Sequence, residues 1–238
     1  LDFSGTAEAN ASVEVFVDGF SAGTTTADGS GNWTLLAAAY TGPVLTHGNS
    51  YAITAQATDV AGNAGVTSSA LSVTIDTIGE KPVVTGVDID SGSDDTDGIT
   101  NETALNISGT SEANATVNVY VDGVAAGTTT ADGSGDWTLL SSAYTGPLLS
   151  DGNTYDITAI ITDVANNTSL ESEAFTVEID QSVSTPGLAL ANDEGSSSAD
   201  NISNDGQVNV TLDADVASWS YSVNGGTDWN PGTGTSFT

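Results

Sequence analysis

The stretch Val13–Gly19, which reads Val-Glu-Val-Phe-Val-Asp-Gly, decides the fold. Its apolar and polar side chains alternate with a period of two, as in a strand that buries one face. The Asp-Gly pair that ends it is a strong signal for a tight hairpin turn. The pattern returns at Val117–Gly123 as Val-Asn-Val-Tyr-Val-Asp-Gly. We therefore predict a half-buried strand that enters a hairpin at both places.

These hairpins belong to a long internal repeat. Residues Leu1–Asp76 return as Leu105–Asp180, displaced by 104 positions without a gap, and nearly two thirds of the positions are identical. Such a period is too long for one coil of a solenoid and has the size of a small independent domain. A chain that copies a whole domain in tandem gains length or valency rather than new chemistry.

Other segments of the repeat also favour strands. Trp33–Leu36, Tyr51–Ala55 and Leu71–Ile75 are short apolar or alternating runs, and no window sustains a helical period. Thr and Val are abundant, and turn signals separate the runs. Short strands at this spacing are typical of a β-sandwich. We expect an all-β protein of two to three tandem sandwiches arranged end to end.

The repeat also predicts domain boundaries. We expect a first sandwich over residues 1–78 that lacks its N-terminal strand, a second over 79–181, and a partial third over 182–238. The short Pro-bearing segment Thr77–Pro82 follows the first sandwich, and Asp180–Pro186 follows the second. The third diverges into a Trp-rich stretch, Trp219–Trp229, and we expect it to cover about half a domain.

Composition excludes several classes of partner. The chain has 32 acidic residues, one lysine and no arginine, with a net charge of −31. Nucleic acids and anionic lipids both need basic side chains, so we expect this segment neither to bind nucleic acid nor to insert into a membrane. No apolar run approaches the ~20 residues of a membrane-spanning helix. Cysteine is absent, so disulfides and thiol chemistry are excluded, whereas the negative field attracts cations.

The carboxylates are concentrated at certain places. Two clusters follow the predicted junctions, and further acids recur once per repeat at strand ends. The first cluster holds Asp88, Asp90, Asp94, Asp95 and Asp97 with Asn101 and Glu102, and the second holds Asn192, Asp193, Glu194 and Asp200 with Asn204 and Asp205. The recurring acids are Glu8 with Glu112, Asp59 with Asp163, and Asp76 with Asp180.

Oxygen ligands on flexible Gly- and Ser-rich spacers suit Ca²⁺, which takes six to eight oxygens, better than Mg²⁺, which demands strict octahedral geometry. The alternative is that Asp, Asn and Gly fill turns and keep the protein soluble. For Asp28 and Asp132, in Asp-Gly-Ser-Gly runs, the turn role is favoured. We expect the Ca²⁺ ligands to come from Glu8, Asp59, Asp76, Asp88, Asp90, Asp94, Asp97, Glu112, Asp163, Asp180, Asp193 and Asp200.

The motifs together resemble the bacterial immunoglobulin-like repeats of giant RTX-type, biofilm-associated adhesins. The matching motifs span nearly the whole chain, although Asn166 replaces a loop glycine. They are Gly-Thr-(Ala/Ser)-Glu-Ala-Asn-Ala at Gly5–Ala11 and Gly109–Ala115, Gly-x-Trp at Gly31–Trp33, the Asp-x-Ala-Gly-Asn loop at Asp59–Asn63, and the Asp88–Asn101 stretch. The resemblance implies immunoglobulin-like sandwiches and a calcium-rigidified extender on the bacterial cell surface, in which neighbouring repeats are partners and the chain is a monomeric rod.

An enzyme and a ligand-binding module are the two alternatives to the extender. An enzyme is not expected, because the only histidine, His47, aligns with Asp151 in the other repeat and so belongs to no repeated acid–base or zinc site. A carbohydrate- or surface-binding module of the same adhesin is the stronger competitor, since tryptophans can form sugar platforms. We expect Trp33 and Trp137 to be core residues. For Trp219 and Trp229, the sequence does not distinguish a core residue from a sugar platform.

The position of the clusters predicts a mechanism. Crowded carboxylates at a junction repel one another, and a divalent cation that binds them converts the repulsion into a cross-link. We expect an ion to join Asp76 or Glu8 to the group of Asp88, Asp90 and Asp97. The junctions would then be hinges that calcium locks outside the cell.

Overall fold

A computed structural model describes residues 1–91, 97–193, 197, 199–213 and 216–238. Three acids of the sequence-predicted clusters, Asp94, Asp95 and Glu194, lie outside the described residues. The chain divides into two compact units. Unit 1 comprises Leu1–Gly79 with Thr162–Ser169, and unit 2 comprises Glu80–Ile161 with Leu170–Thr238.

Strands of the first repeat form two antiparallel sheets in unit 1. The strands are β1 (Phe3–Thr6), β2 (Ser12–Val17), β3 (Phe20–Thr26), β4 (Asn32–Leu35), β5 (Ser50–Thr58) and β6 (Leu71–Thr74). The larger sheet has the order β3-β2-β5-β6, and the smaller pairs β1 with β4. The sequence-predicted strands at Val13–Val17, Trp33–Leu36, Tyr51–Ala55 and Leu71–Ile75 are confirmed within one or a few residues at their ends.

The Asp-Gly hairpin between β2 and β3 is confirmed. Asp18 and Gly19 both have positive φ, 50° and 81°, the requirement of a type I′ turn. Their copies, Asp122 and Gly123, have 49° and 73°. Aspartate and glycine tolerate this left-handed backbone, and the turn twists in the sense that the two flanking strands need.

Alternation along the strands builds the core of unit 1. Alternate residues Val13, Val15 and Val17 of β2 point inward and are buried. The buried cluster joins side chains of both sheets, so the sheets pack face to face as a sandwich. It consists of Phe3, Val15, Val17, Ala22, Leu35 and Ile53, with Trp33, Tyr40, Leu45, Tyr51 and Val73 packed against it.

In unit 2 the second repeat forms the same sandwich with additional strands. The strands are β7 (Val83–Val87), β8 (Ile99–Thr100), β9 (Ile107–Thr110), β10 (Thr116–Val121), β11 (Val124–Thr130), β12 (Asp136–Leu139), β13 (Asn153–Thr162) and β14 (Phe175–Ile179). One sheet has the order β11-β10-β13-β14-β8, with β8 parallel to β14. The other has the order β12-β9-β7, so β7 adds a third strand where β1 and β4 form a pair.

The core of the second repeat is more completely closed. Trp137 is 2% exposed and belongs to the core as the sequence predicted, whereas Trp33 is half-buried against its own core. Val84 of β7 contributes to the buried cluster. In the second repeat, β7 therefore covers part of the apolar core.

The remainder of unit 2 forms short strands. These are β15 (Gly187–Leu190), β16 (Val208–Thr211), β17 (Ser220–Tyr221), β18 (Asn230–Pro231) and β19 (Ser236–Phe237). They make a sheet of order β15-β16-β19 and a separate β17–β18 pair. Helix is confined to single 3-10 turns at Ala37–Ala39 and Ser141–Ala143. Within the described residues, no helix has the length and hydropathy to cross a membrane.

Two adjacent leucines test the sandwich core. Leu139 is 1% exposed and Leu140 is 53% exposed. We expect Leu139→Ala to lower the free energy of unfolding by about 2–5 kcal/mol, because it leaves a cavity. Leu140→Ala should change it by no more than about 0.5 kcal/mol. Urea unfolding of both variants checks this, and equal effects would contradict the assignment of inward and outward faces.

Candidate metal centre

A tight loop after β13 positions the first carboxylate of the candidate site. The backbone N–H of Asp163 donates to the carbonyl oxygen of Asn167 at 3.0 Å, and Thr162 and Thr168 form an antiparallel bridge. Asp163 Oδ1 accepts hydrogen bonds from the N–H groups of Ala165 and Asn167, both at 2.8 Å. Asp163 Oδ2 accepts from Asn167 Nδ2 at 2.8 Å. The loop thus fixes a carboxylate that is only 5% exposed.

Asp76 lies beside this loop within unit 1. Ligand oxygens of Asp76 and Asp163 approach within 4.8 Å of each other. Asn167 Nδ2 lies 3.3 Å from Asp76 Oδ1, so one amide contacts both carboxylates. A parallel bridge between Gly79 and Ser169 holds the segment that follows Asp76 against the loop. Two negative groups and one amide therefore converge in a fixed arrangement.

Basic side chains do not neutralise this pair. His47 Nδ1 lies 3.3 Å from Asp76 Oδ1, but the same nitrogen accepts a hydrogen bond from the N–H of Thr77 at 3.2 Å. The lone pair of this nitrogen is used by the hydrogen bond from Thr77, so the geometry presents no N–H group to Asp76. The one lysine, Lys81, pairs with Glu173. Neither His47 nor Lys81 therefore donates a hydrogen bond to Asp76 or Asp163 in the described residues.

Local hydrogen bonds keep Asp163 ionised. Burial by itself raises the pKa of Asp163, but hydrogen bonds from the side chain and backbone of Asn167, and from Ala165 and Asn166, lower the pKa below its usual value. Hydrogen bonds to a carboxylate favour its charged form. Asp163 therefore carries a negative charge over the whole physiological pH range.

The corresponding loop of the first repeat has the same internal geometry. Asp59 Oδ1 accepts from the N–H groups of Ala61 and Asn63 at 2.9 and 2.7 Å, and Oδ2 accepts from Asn63 Nδ2 at 2.8 Å. The side-chain amide of Asn63, followed by its backbone N–H, lowers the pKa of Asp59. Asp59 is half-buried, in contrast to Asp163. The loop therefore closes through its own hydrogen bonds in both repeats.

The described acids of the first cluster are bound by backbone and amide donors. Asp88 accepts from the N–H and Nδ2 of Asn106 at 2.9 and 2.5 Å. Asp90 Oδ2 accepts from the N–H of Gly98 at 2.9 Å, and Asp97 Oδ1 accepts from the N–H of Ile99 at 3.0 Å. The other oxygen of Asp90 is buried and has no hydrogen-bond partner among the described residues.

The second cluster repeats this geometry. Asp193 Oδ2 accepts from the N–H of Asn201, and Asp200 Oδ1 accepts from the N–H of Ile202, both at 3.1 Å. Asp193 Oδ1 is again buried, and no residue in the described part of the chain forms a hydrogen bond with it. The side chain of Asn192 lowers the pKa of Asp205 and donates to it at 2.8 Å.

The remaining predicted ligands are Glu8, Glu112 and Asp180. Glu8 is exposed. The carboxylate of its copy, Glu112, accepts a hydrogen bond from the N–H of Glu80. Asp180 Oδ1 accepts from the N–H of Ser182 at 3.1 Å. Each of these acids thus occupies a turn or strand end, as the sequence predicted.

Asn167 is the site residue that sequence reasoning missed. The Asp-x-Ala-(Gly/Asn)-Asn loop is recognisable in the sequence, but the prediction included only its aspartate as a ligand. A 180° rotation of the Asn167 amide exchanges nitrogen for oxygen and presents a third oxygen between the two carboxylates. The recurrence of Asn63 and Asn167 at the same loop position is the signal that would have found it.

A family model describes both repeats. The model for the bacterial Ig-like domain matches residues 1–77 and again 80–181. The chain belongs to the bacterial Ig-like domain family. The sandwich architecture of both repeats agrees with this membership. A comparison with curated protein sequences finds no match.

Two solved structures are among those to which the chain is similar. The fibronectin(III)-like modules of Clostridium thermocellum CbhA match at 18% identity and a TM-score of 0.34, covering 75% of this chain and 85% of theirs. A structure of a 1.5-MDa bacterial ice-binding adhesin matches at 24% identity and a TM-score of 0.33, covering 75% of this chain and 58% of that one.

The lowered pKa of Asp163 predicts a dependence of stability on pH. A carboxyl whose pKa is lower in the folded state stabilises the fold above its unfolded pKa of about 3.9. That stabilisation is lost as the pH falls through the folded pKa. NMR titration of the side-chain carboxyl carbons should give Asp163 a midpoint below the usual range, and Asp163→Asn should flatten the acid limb of the unfolding curve. A midpoint at or above about 4 would contradict it.

Proposed function

We propose that this chain is an extender segment of a secreted bacterial surface adhesin, which holds a ligand-binding region away from the cell. Tandem bacterial Ig-like repeats, joined by a short segment and lacking a repeated catalytic constellation, support a mechanical role. The protein acts outside the cell, where calcium is plentiful. In this proposal the ions and the adjoining repeats are the working partners.

Calcium stiffening is the finer part of the proposal, and the pairing of Asp76 with Asp163 carries it. Asp76 ends the first repeat, directly before the connecting segment. Its carboxylate lies next to a buried carboxylate without a basic partner. An all-oxygen donor set of two carboxylates and the Asn167 amide fits Ca²⁺, which accepts irregular geometry and completes its shell with water.

Other acids extend the donor set in this proposal. Asp90 and Asp193 are candidates at the two clusters, since each has one buried oxygen that no hydrogen-bond donor of the described residues contacts. These assignments extend the sequence-based expectation to particular atoms.

Charge repulsion provides the physical reason for stiffening. Two carboxylates about 4 Å apart repel by about 1–4 kcal/mol, depending on the effective dielectric constant. Without a cation, this repulsion opposes the contact between Asp76 and the Asp163 loop. A bound Ca²⁺ supplies the positive charge that makes the contact favourable.

Thermal unfolding tests calcium binding. With a dissociation constant on the order of 10⁻⁴–10⁻³ M, about 10 mM Ca²⁺ should add about 1.4–2.7 kcal/mol for each site. For a domain of this size the midpoint should rise by roughly 5–20 °C, and EDTA should abolish the rise. Asp163→Asn should lose most of the gain, because it removes the buried ligand charge.

Matched controls separate binding from screening. Asp132→Asn alters a turn aspartate whose Oδ1 accepts from the N–H groups of Ser134 and Asp136, and it should retain the calcium response. NaCl at equal ionic strength should reproduce only part of the gain. If NaCl alone produces the whole rise, the ions merely screen charge and specific sites are excluded.

A distance measurement tests stiffening separately. The chain has no cysteine, so Ser30→Cys and Ser134→Cys place one spin label in the same turn of each repeat. We expect the distribution of label distances to be narrower in Ca²⁺ than in EDTA. In an Asp76→Asn background the narrowing should disappear. A distribution of the same width in all conditions would refute the stiffening role while leaving calcium binding intact.

Carbohydrate binding is the second candidate function. Trp137 is buried and Trp33 packs against its core, so neither forms an open platform. Trp229 is 65% exposed and borders a groove with Trp219 and Tyr221. This exposed aromatic groove supports carbohydrate binding as the second candidate. Glycan-array binding that Trp229→Ala removes would favour it over a purely mechanical role.

A further inference from the structure

The turn between β17 and β18 contains the one asparagine of the sequence that a glycine follows, Asn224. Glycine has no Cβ that would obstruct an attack by its backbone nitrogen on the preceding side chain. A Cβ placed at Gly225 would have no neighbour within 4 Å in the described part of the chain. The N–H of Gly225 forms no hydrogen bond within the described residues. This nitrogen is therefore available as a nucleophile.

Hydrogen bonds of the turn polarise the side-chain amide of Asn224. Its Oδ1 accepts from the Ser222 hydroxyl at 2.8 Å and from the N–H of Asp228 at 3.0 Å. The Ser222 oxygen itself accepts from the N–H of Gly226 at 2.9 Å, which leaves the hydroxyl proton for Asn224. Two donors on one carbonyl oxygen stabilise the negative charge that develops there when a nucleophile attacks the carbon.

The amide nitrogen of Asn224 has a proton relay beside it. Asp228 Oδ2 accepts from Asn224 Nδ2 at 2.7 Å. A carboxylate at hydrogen-bond distance can pass a proton to this nitrogen as its bond to carbon breaks. Asn63 and Asn167 also donate to a carboxylate, but their side-chain oxygens accept no hydrogen bond from the described residues. The turn at Asn224 combines a nucleophile, two oxyanion donors and a relay around one amide.

We propose that Asn224 is a self-modifying site, at which the turn converts the amide into a carboxylate through a cyclic imide. Gly225 N forms a bond to Asn224 Cγ, and the bond between Cγ and Nδ2 breaks with its electron pair. The proton that Gly225 N loses passes through Asp228 to Nδ2, and ammonia leaves. One water molecule then opens the ring and returns a proton to Gly225 N, which leaves aspartate or isoaspartate at position 224.

The product changes the turn. The amide of Asn224 donates to Asp228, whereas the product sets a second carboxylate against that of Asp228. Two like charges at this distance repel, so the conversion weakens the closure of the turn. It also adds one negative charge to a chain of net charge −31. Because the ammonia is lost to solvent, the change is one-way.

Mass spectrometry of the full chain tests the reaction. The protein is kept at neutral pH in ¹⁸O-labelled water and then digested, and we expect peptides with an ¹⁸O-labelled aspartate or isoaspartate at position 224. The folded chain should react about threefold to tenfold faster than the chain in urea, which keeps the sequence but loses the hydrogen bonds of Ser222 and Asp228. Asn230 should stay unmodified, because Pro231 has no N–H to attack. An equal or faster reaction in urea would overturn the proposal, and so would cleavage of the chain after Asn224.

Variants of the turn separate chemistry from structure. Ser222→Ala and Asp228→Asn should each slow the conversion about threefold to tenfold in the folded chain and leave the rate in urea unchanged. Ser222→Thr keeps the hydroxyl and should retain the parent rate. Ser220→Ala is the matched control, since Ser220 is exposed in β17 and forms no hydrogen bond with Asn224 in the described residues. A parent rate in Ser222→Ala, or equal slowing by Ser220→Ala, would refute the role of the turn.

Discussion

Hydrogen bonds from backbone N–H groups stabilise the carboxylates of this protein, whereas most proteins also use basic side chains for this purpose. The rest of the structure depends on these hydrogen bonds. One lysine cannot balance 32 acids. Aspartates therefore accept hydrogen bonds from N–H groups two and four residues later, as Asp28, Asp59, Asp132 and Asp163 all do. Each bond satisfies a loop donor and favours the charged carboxylate.

This arrangement has a consequence for metal binding. A carboxylate fixed by N–H groups is ionised and oriented before any cation arrives, so little ordering remains to oppose binding. Its negative charge is still uncompensated, because hydrogen bonds delocalise a charge without removing it. Asp163 combines both properties with burial, and the neighbouring Asp76 adds a second charge. The candidate centre is thus a place where the excess of acidic over basic residues leaves two neighbouring carboxylates without a cationic side chain.

The two repeats act as internal controls for each other. Their near-identical strands show that the fold is encoded twice, and their differences isolate single effects. His47 and Asp151 occupy the same position in the two repeats. His47 accepts a hydrogen bond from the N–H of Thr77, and Asp151 accepts one from the N–H of Gln181. Each of these donors directly follows the aspartate that ends its repeat. Trp137 is buried in a core to which Val84 of β7 also belongs.

The sequence by itself determined the strands, the Asp-Gly turns, the sandwich class and the set of acids. Period-two alternation and turn chemistry act between near neighbours, so they can be read along the chain, as at Val13–Gly19. The tertiary structure alone decided which acids meet. Asp76 and Asp163 are far apart in sequence, and no spacing pattern along the chain links them. Asn167 likewise gained its position from folding. Contacts across a large sequence separation depend on how loops and strands pack, and no local pattern records that packing.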